Sequence, residues 1–151
     1  MHSPLLRTLR HQKLDLLNDL DRVHALVEAG AVPAFGELRR FRIRLMERLA
    51  LEEATICPAL ARAARLHPDL ARLLGDHLQD LAALQGAAHG FFERCGRKEG
   101  LDDPLRREFA DLAKAVRVRI DREERLIRLV FESMRREEGV VGVREGRQFV
   151  P

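Results

Sequence analysis

The sequence predicts an all-α protein folded as a four-helix bundle, and three observations predict it. Apolar residues recur every three or four positions along four separate segments, which is the spacing of one helix face. Proline and glycine stand between these segments, where helices begin and end. Leu, Ala, Arg and Glu, which favour helix, dominate the composition. Four amphipathic helices with short connections indicate an antiparallel, up-down-up-down arrangement.

The first predicted helix covers residues 4–29. Ser3 is a suitable N-cap, Pro4 fits the first turn, and Gly30 follows the last apolar position. Lys13 is a charged residue in the middle of the apolar stripe, with leucines on both sides. A lysine at this position either joins a buried polar site or extends along the edge of the stripe to the surface.

The second predicted helix covers residues 34–66 and begins after Pro33. Arg48 and Glu52 interrupt its apolar stripe and, being four positions apart, lie on the same face of the helix. Pro58 falls late in the segment. Because proline cannot donate a backbone hydrogen bond, we expect it to bend the helix or to loosen one turn.

The third and fourth predicted helices cover residues 69–95 and 103–137. The apolar stripe of the third helix has His77 at its centre. The stripe of the fourth helix contains Arg119 and Glu123, which again are four positions apart. Each of the last three helices therefore directs polar groups toward the interior, where apolar side chains are the rule.

We expect one domain over residues 1–138 and a C-terminal tail over residues 139–151. Gly139 ends the helical pattern, and the tail contains Gly142 and Gly146 without a clear period. The sequence leaves open whether the tail is flexible or docks on the bundle.

The inward polar residues form one set across the four helices. The hexapeptide Arg-Leu-Ala-Leu-Glu-Glu at residues 48–53 is echoed by Arg-Ile-Asp-Arg-Glu-Glu at residues 119–124, as expected for a repeated helical hairpin. Four-helix bundles build metal sites from inward side chains on facing helices. We therefore expect a buried polar centre made of six residues: Lys13, Arg48, Glu52, His77, Arg119 and Glu123.

On the first two helices these residues stand in distinctive sequence contexts. Lys13 is followed by leucines three, four and seven positions later. Arg48 is followed by Leu-Ala-Leu and then Glu52, and Cys57 and Pro58 come shortly afterwards.

On the last two helices, His77 is followed four positions later by Leu81, and Arg119 is followed by an acidic pair. Together these contexts resemble the hemerythrin-like, or HHE cation-binding, family over residues 5 to about 136. That family typically has a histidine on the first helix, His-x-x-x-Glu before Tyr-Pro on the second, His-x-x-x-His on the third, and His followed by an acid on the fourth.

The resemblance implies a bundle whose centre holds two oxo-bridged irons that bind oxygen or sense redox state. This chain keeps Glu52, His77 and Glu123 at the family's ligand positions. Guanidinium is always protonated and offers a metal no lone pair, so Arg48 and Arg119 cannot replace histidine ligands. They can replace the positive charge that the irons would place beside the carboxylates. We therefore predict a buried ion-pair network without metal or other cofactor.

Other interpretations of the centre stay open. Glu52, His77 and Glu123 offer enough donors for a single ferrous or zinc ion, which would give an iron-binding, oxygen- or redox-sensing protein with a reduced ligand set. The three cations outnumber the two glutamates, so a small anion or ordered water is a further occupant to consider. The arginines could instead extend outward to solvent, and His77 could be a core histidine bonded to either glutamate.

The resemblance implies a regulatory or interaction role, with signalling as one form of it, and the sequence itself indicates a non-enzymatic protein. It shows no nucleophile–base pair and no phosphate-binding loop. The formal net charge of +3, from 27 basic and 24 acidic residues that are interspersed, predicts neither a nucleic acid nor an anionic membrane as partner. A protein partner and a homodimer both remain open.

The cysteines and the N-terminus predict a cytoplasmic protein. Cys57 and Cys95 lie far apart within helical patterns, which is typical of reduced thiols. The first residues lack the charged and apolar regions of a signal peptide. No apolar run approaches the roughly 20 residues that a membrane-spanning helix needs.

Overall fold

The computed structural model describes residues 4–30, 34–97 and 101–148, and within these ranges the chain forms helices and no strand. The helices are α1 (Pro4–Glu28), α2 (Ala34–Leu51), α3 (Cys57–Leu66), α4 (Pro68–Arg97) and α5 (Asp103–Gln148). A π-helical turn, Glu52–Ile56, joins α2 to α3 without interruption. The described residues thus form four helices, of which the second is α2, the π turn and α3 together. The predicted all-α class with four helices is confirmed.

The π turn lies immediately before Pro58. The backbone N–H of Cys57 donates to the carbonyl of Glu52, five residues earlier, instead of the usual four. The hydroxyl of Thr55 also donates to the carbonyl of Leu51. The expectation that Pro58 loosens a turn of this helix is confirmed. The extra residue in the π turn rotates the inward side of α3 relative to that of α2.

Local signals at helix ends agree with the structure. Gly30 has a φ of 65°, and its N–H donates to the carbonyl of Val27 at 3.1 Å, which ends α1 in the left-handed conformation that glycine adopts readily. The carboxylate of Asp102 accepts the N–H of Leu105 at 3.0 Å, which caps the start of α5.

The last helix is longer than predicted. We expected it to end near Gly139, but the backbone of α5 is helical through Gln148. A glycine inside a helix costs only about 1 kcal/mol relative to alanine, so neighbouring helix formers can outweigh it. The glycines of this segment were therefore a weaker stop signal than we assumed.

The core has two parts. In one, buried side chains from α1, α2, α4 and α5 surround three fully buried phenylalanines: Phe41, Phe91 and Phe109. In the other, Leu9 of α1 packs with residues of α3, the beginning of α4 and the later part of α5. Each helix has one polar residue between the positions of the two parts, and these residues are Lys13, Glu52, His77 and Glu123. Arg48 and Arg119 lie one turn earlier, among the last positions of the first part. The fold thus positions a polar layer between two apolar cores.

None of the described helices is both long and apolar enough to cross a lipid bilayer.

Candidate functional site

Five of the six predicted polar residues meet in the layer between the two cores. Arg48 and Glu52 come from the second helix, His77 from α4, and Arg119 and Glu123 from α5. Each is at most 5% exposed. Ionic groups this deeply buried are costly unless they pair with one another.

The two arginines pair across helices. Arg119 donates from Nη2 and Nε to Oε2 of Glu52, at 2.6 and 3.1 Å. Nη2 of Arg48 donates to Oε1 of Glu123. By contrast, the pair within the second helix is long, with 3.7 Å between Nε of Arg48 and Oε1 of Glu52. Each arginine therefore bonds chiefly to the glutamate of the other hexapeptide and not to the one four residues ahead of it.

Two further guanidinium donors also find buried acceptors, whereas Nε of Arg48 has no hydrogen-bond partner among the described residues. Nη1 of Arg48 donates to the carbonyl of Leu9 on α1 at 2.8 Å. Nη1 of Arg119 donates to the carbonyl of His77 at 3.2 Å. The cluster is thereby attached to the backbone of α1 and α4, and it involves all four helices although α1 contributes no side chain to it.

The His77 ring is held as a neutral acceptor. Nη2 of Arg119 lies 3.0 Å from its Nε2. Because guanidinium can only donate, Nε2 must accept, and the ring proton is then on Nδ1. Burial first, and then the charge of Arg119, lower the pKa of His77, in agreement with a neutral ring.

Burial disfavours ionisation of both glutamates at once, and the pKa values of the two carboxyls move in opposite directions. Burial raises the pKa of Glu123 to about 9, and a hydrogen bond and the charge of Glu52 add to the effect. Burial opposes ionisation of Glu52 as well, but hydrogen bonds from Glu123 and Arg119 lower its pKa below the usual value. Oε2 of Glu123 has no other hydrogen-bond partner among the described residues, and a proton on it bonded to Glu52 satisfies it. At neutral pH the cluster thus holds two arginine cations and one carboxylate anion.

The structure places Lys13 outside this cluster. Its ammonium pairs with Glu124, and the side chain is 20% exposed. Glu124 lies one position beyond the buried Glu123 on α5, so it faces out of the interior. Lys13 therefore follows the edge of the apolar stripe to the surface and adds no charge to the centre. The expected set of three cations beside two glutamates is therefore wrong for Lys13, and direct bonds between the arginines and the glutamates close the centre where a small anion was considered.

A third buried carboxyl group, outside the five-residue cluster, was missed in the sequence. Asp19 is 2% exposed and pairs with Arg22 on its own helix and with Arg44 on α2. Its spacing was the available signal, since it lies three residues after Leu16 and four before Val23, both in the core. Asp19 ties α1 to α2 away from the five-residue cluster.

As placed, the five residues do not fit a metal ion. Nε2 of His77 and Oε2 of Glu52 are 4.0 Å apart, and Nη2 of Arg119 is bonded to both. The lone pairs that would face a metal are thus directed at a guanidinium. Among the described residues, no group of three His, Cys, Asp or Glu side chains is positioned to hold an ion.

The two cysteines are free thiols. Cys57 is buried beside the cluster, and burial followed by the charge of Glu52 raises its pKa. Burial raises the pKa of Cys95 to about 11. Both thiols are therefore poor nucleophiles at neutral pH.

No family model, curated protein or solved structure matches the chain.

Proposed function

We propose that the protein is a hemerythrin-like, antiparallel four-helix bundle in which two arginines have replaced the metal centre. In this proposal it is a cytoplasmic protein without catalytic activity or cofactor, and it serves a regulatory or interaction role. The observation that carries the proposal is the pairing of Arg48 with Glu123 and of Arg119 with Glu52. The sequence frame supplies the resemblance, and the buried ion pairs supply the physical reason for the altered residues.

The charge balance supports replacement of metal by arginine. In a bundle with bridging carboxylates, bound cations offset the negative charge at the centre. Arg48 and Arg119 supply positive charge beside the carboxyls here, and the hydrogen bonds of Arg119 satisfy Glu52 and Nε2 of His77. A bundle with this cluster would keep its fold without metal, so its function would lie in its surface and not in metal chemistry.

The test is the metal content of the protein, purified without chelator and after anaerobic addition of ferrous iron. We expect less than one metal ion per ten chains, and no absorption band of an oxo-bridged iron pair. Stoichiometric iron or such a band would overturn the proposal. It would favour the alternative, an iron-binding sensor that uses Glu52, His77 and Glu123.

A variant tests the family frame itself. In R48H/R119H, two imidazoles join His77 and the two glutamates at the centre, and we expect the variant to gain iron binding. The matched control is R117H/R122H, which changes two exposed arginines of the cluster's last helix. If R48H/R119H folds, as judged by circular dichroism, and binds no more iron than the control, the proposed correspondence with the family's ligand positions is wrong.

The interaction role includes a protein partner or a second copy of the chain. Light scattering on the purified protein distinguishes a homodimer from a monomer, and a monomer would leave a different partner as the proposed one.

A further inference from the structure

A groove of about 460 Å³ opens between α4 and α5, next to the buried cluster. Its apolar wall includes Leu73 and Leu129, which are 39% and 42% exposed. His77 lines the same groove, although it is only 4% exposed. A concave apolar site of this volume with a few polar groups is the usual form of a small-molecule site.

His77 offers the groove a hydrogen-bond donor. Its Nε2 accepts from Arg119, so the ring proton is on Nδ1. Nδ1 forms no hydrogen bond to a described residue. It is also not one of the fully enclosed polar atoms that lack a partner, so some of its surface is accessible. Since the ring lines the groove, Nδ1–H is the donor that a bound molecule can reach.

The charged residues of the groove differ in their pairing. Arg122 and Asp80 neutralise each other at 2.7 Å. Arg125 lines the groove and forms no ion pair with a described residue, and the same holds for Asp76 on the facing helix. The charges of Arg125 and Asp76 cancel. The net charge that a ligand in the groove experiences therefore depends on the buried residues behind the groove.

Behind the floor is the buried cluster. Arg119, bonded to His77, belongs to a group with two guanidinium cations. Because burial raises the pKa of Glu123 to about 9, only Glu52 is ionised at neutral pH, which leaves one positive charge uncompensated. Uncompensated buried charge favours a ligand of opposite sign nearby.

We propose that this groove binds a small organic acid, with its carboxylate on Nδ1–H of His77 and on Arg125, and its apolar part against Leu73 and Leu129. The acid would be the ligand through which the bundle exerts a regulatory role. That role rests on the proposed function, whereas the binding itself does not.

The test uses hexanoate as the probe, with 1-hexanol and hexylammonium as matched neutral and cationic probes. In amide-nitrogen NMR titrations of the whole protein, we expect saturable shifts with hexanoate, concentrated at residues 73–80 and 122–129. The His77 ring nitrogens, observed in the same sample, should shift with the same midpoint. Hexanol should bind at least about fivefold more weakly, and hexylammonium more weakly still.

Three single variants separate the contributions. R125Q should weaken hexanoate binding about fivefold, because it removes a charge-assisted hydrogen bond. R128Q is the matched control, since Arg128 is an exposed arginine of the same helix that does not line the groove, and its affinity should equal that of the unchanged protein. D76N should tighten binding about twofold to fivefold, because it removes a carboxylate from the groove.

Three outcomes would overturn this proposal: no saturable binding of hexanoate, equal or tighter binding of hexylammonium, or equal losses in R125Q and R128Q. None of these three binding measurements depends on the metal content of the protein. Iron found at the bundle centre with hexanoate binding intact would overturn the proposed function alone, and absent iron with no hexanoate binding would overturn the groove site alone.

Discussion

Arg119 donates two hydrogen bonds to one oxygen of Glu52, although 67 residues separate them in the chain. The pair joins α5 to the second helix inside the protein, where both side chains are buried. A third bond from the same guanidinium reaches Nε2 of His77 on α4. Removing the arginine would therefore take away the charged donor of the Glu52 anion and the hydrogen-bond donor of the His77 ring nitrogen.

We predict that Arg119→Met lowers the free energy of unfolding by about 3–5 kcal/mol, because it strands the buried carboxylate of Glu52. The matched control is Arg117→Met on the same helix. Arg117 pairs with Asp21 at 2.8 Å, but it is 40% exposed, so its loss should cost less than about 1 kcal/mol. Urea unfolding followed by circular dichroism measures both. Equal losses would mean that the Arg119 pair contributes no more than a surface ion pair.

The two buried glutamates should respond differently to the same substitution. Glu123→Gln replaces a protonated carboxyl with a neutral amide that can accept from Arg48 and donate to Glu52, so we expect little loss of stability at neutral pH. Glu52→Gln removes the ionised carboxylate that Arg119 contacts, and we expect a loss of about 3–5 kcal/mol. Urea unfolding of the two variants at pH 7 checks the asymmetry. A larger loss in Glu123→Gln would place the proton on Glu52.

The proton on Glu123 also predicts a pH dependence. In the unfolded chain Glu123 ionises above its ordinary pKa of 4.5, whereas in the folded protein it stays protonated up to about 9. The folded state thus binds more protons between these values, and Glu123 makes stability fall as pH rises, by at most about 1.4 kcal/mol per pH unit. Unfolding free energies of Glu123→Gln should therefore improve relative to the unchanged protein from pH 5 to pH 8. Parallel curves would show that both carboxyls are ionised in the folded protein.

Glu52 makes the opposite contribution to the pH dependence of stability. Its folded pKa is lowered, so its stabilisation is present above pH 4.5 and is lost as pH falls through the folded pKa.

Asp19 predicts a second, independent loss of stability. Its carboxylate is buried and accepts from Arg22 and Arg44. Asp19→Asn keeps the shape but removes the charge that both arginines contact, so we expect a loss of about 1–3 kcal/mol. Asp21→Asn is the control, since Asp21 is exposed on the same helix. Thermal unfolding of the two variants measures both losses of stability. A loss confined to Asp21→Asn would contradict the stabilising role of the buried Asp19.

The thiols should be nearly unreactive in the folded protein. With a pKa of about 11, Cys95 has roughly one thousandth of its thiol ionised at pH 8. Cys57 is buried in the core and should react more slowly still. The Cys57→Ser and Cys95→Ser variants, each with one thiol left, can be treated with a chromogenic disulfide reagent. Reaction should be at least about tenfold slower in buffer than in urea, and equal rates would contradict burial of the thiol concerned.

Periodicity predicted much of the arrangement. The four helices and the inward positions of Arg48, Glu52, His77, Arg119 and Glu123 follow from residues that share a helix face, which is a local property of sequence. The loosened turn before Pro58 was predicted too, because a missing backbone donor has a local effect.

What the sequence could not show depends on neighbours in space. The spacing of Arg48 and Glu52 favours a pair within one helix, but both side chains point inward, and the closer partner of each is on another helix. Lys13 has a stem long enough to leave the stripe, so its position depended on the presence of Glu124. The proton on Glu123 arises from burial, which a spacing pattern does not measure.

The crossed pairing has a consequence for how the two halves of the chain recognise each other. The first half, up to Leu66, contains Arg48 and Glu52, and the second half, from Pro68, contains Arg119 and Glu123. Each half has one cation and one carboxyl, yet each group finds its closest partner in the other half. Two separate peptides, covering residues 1–66 and 68–151, should therefore reassemble with each other, and exchanging Arg119 with Glu123 in the second peptide should weaken that reassembly.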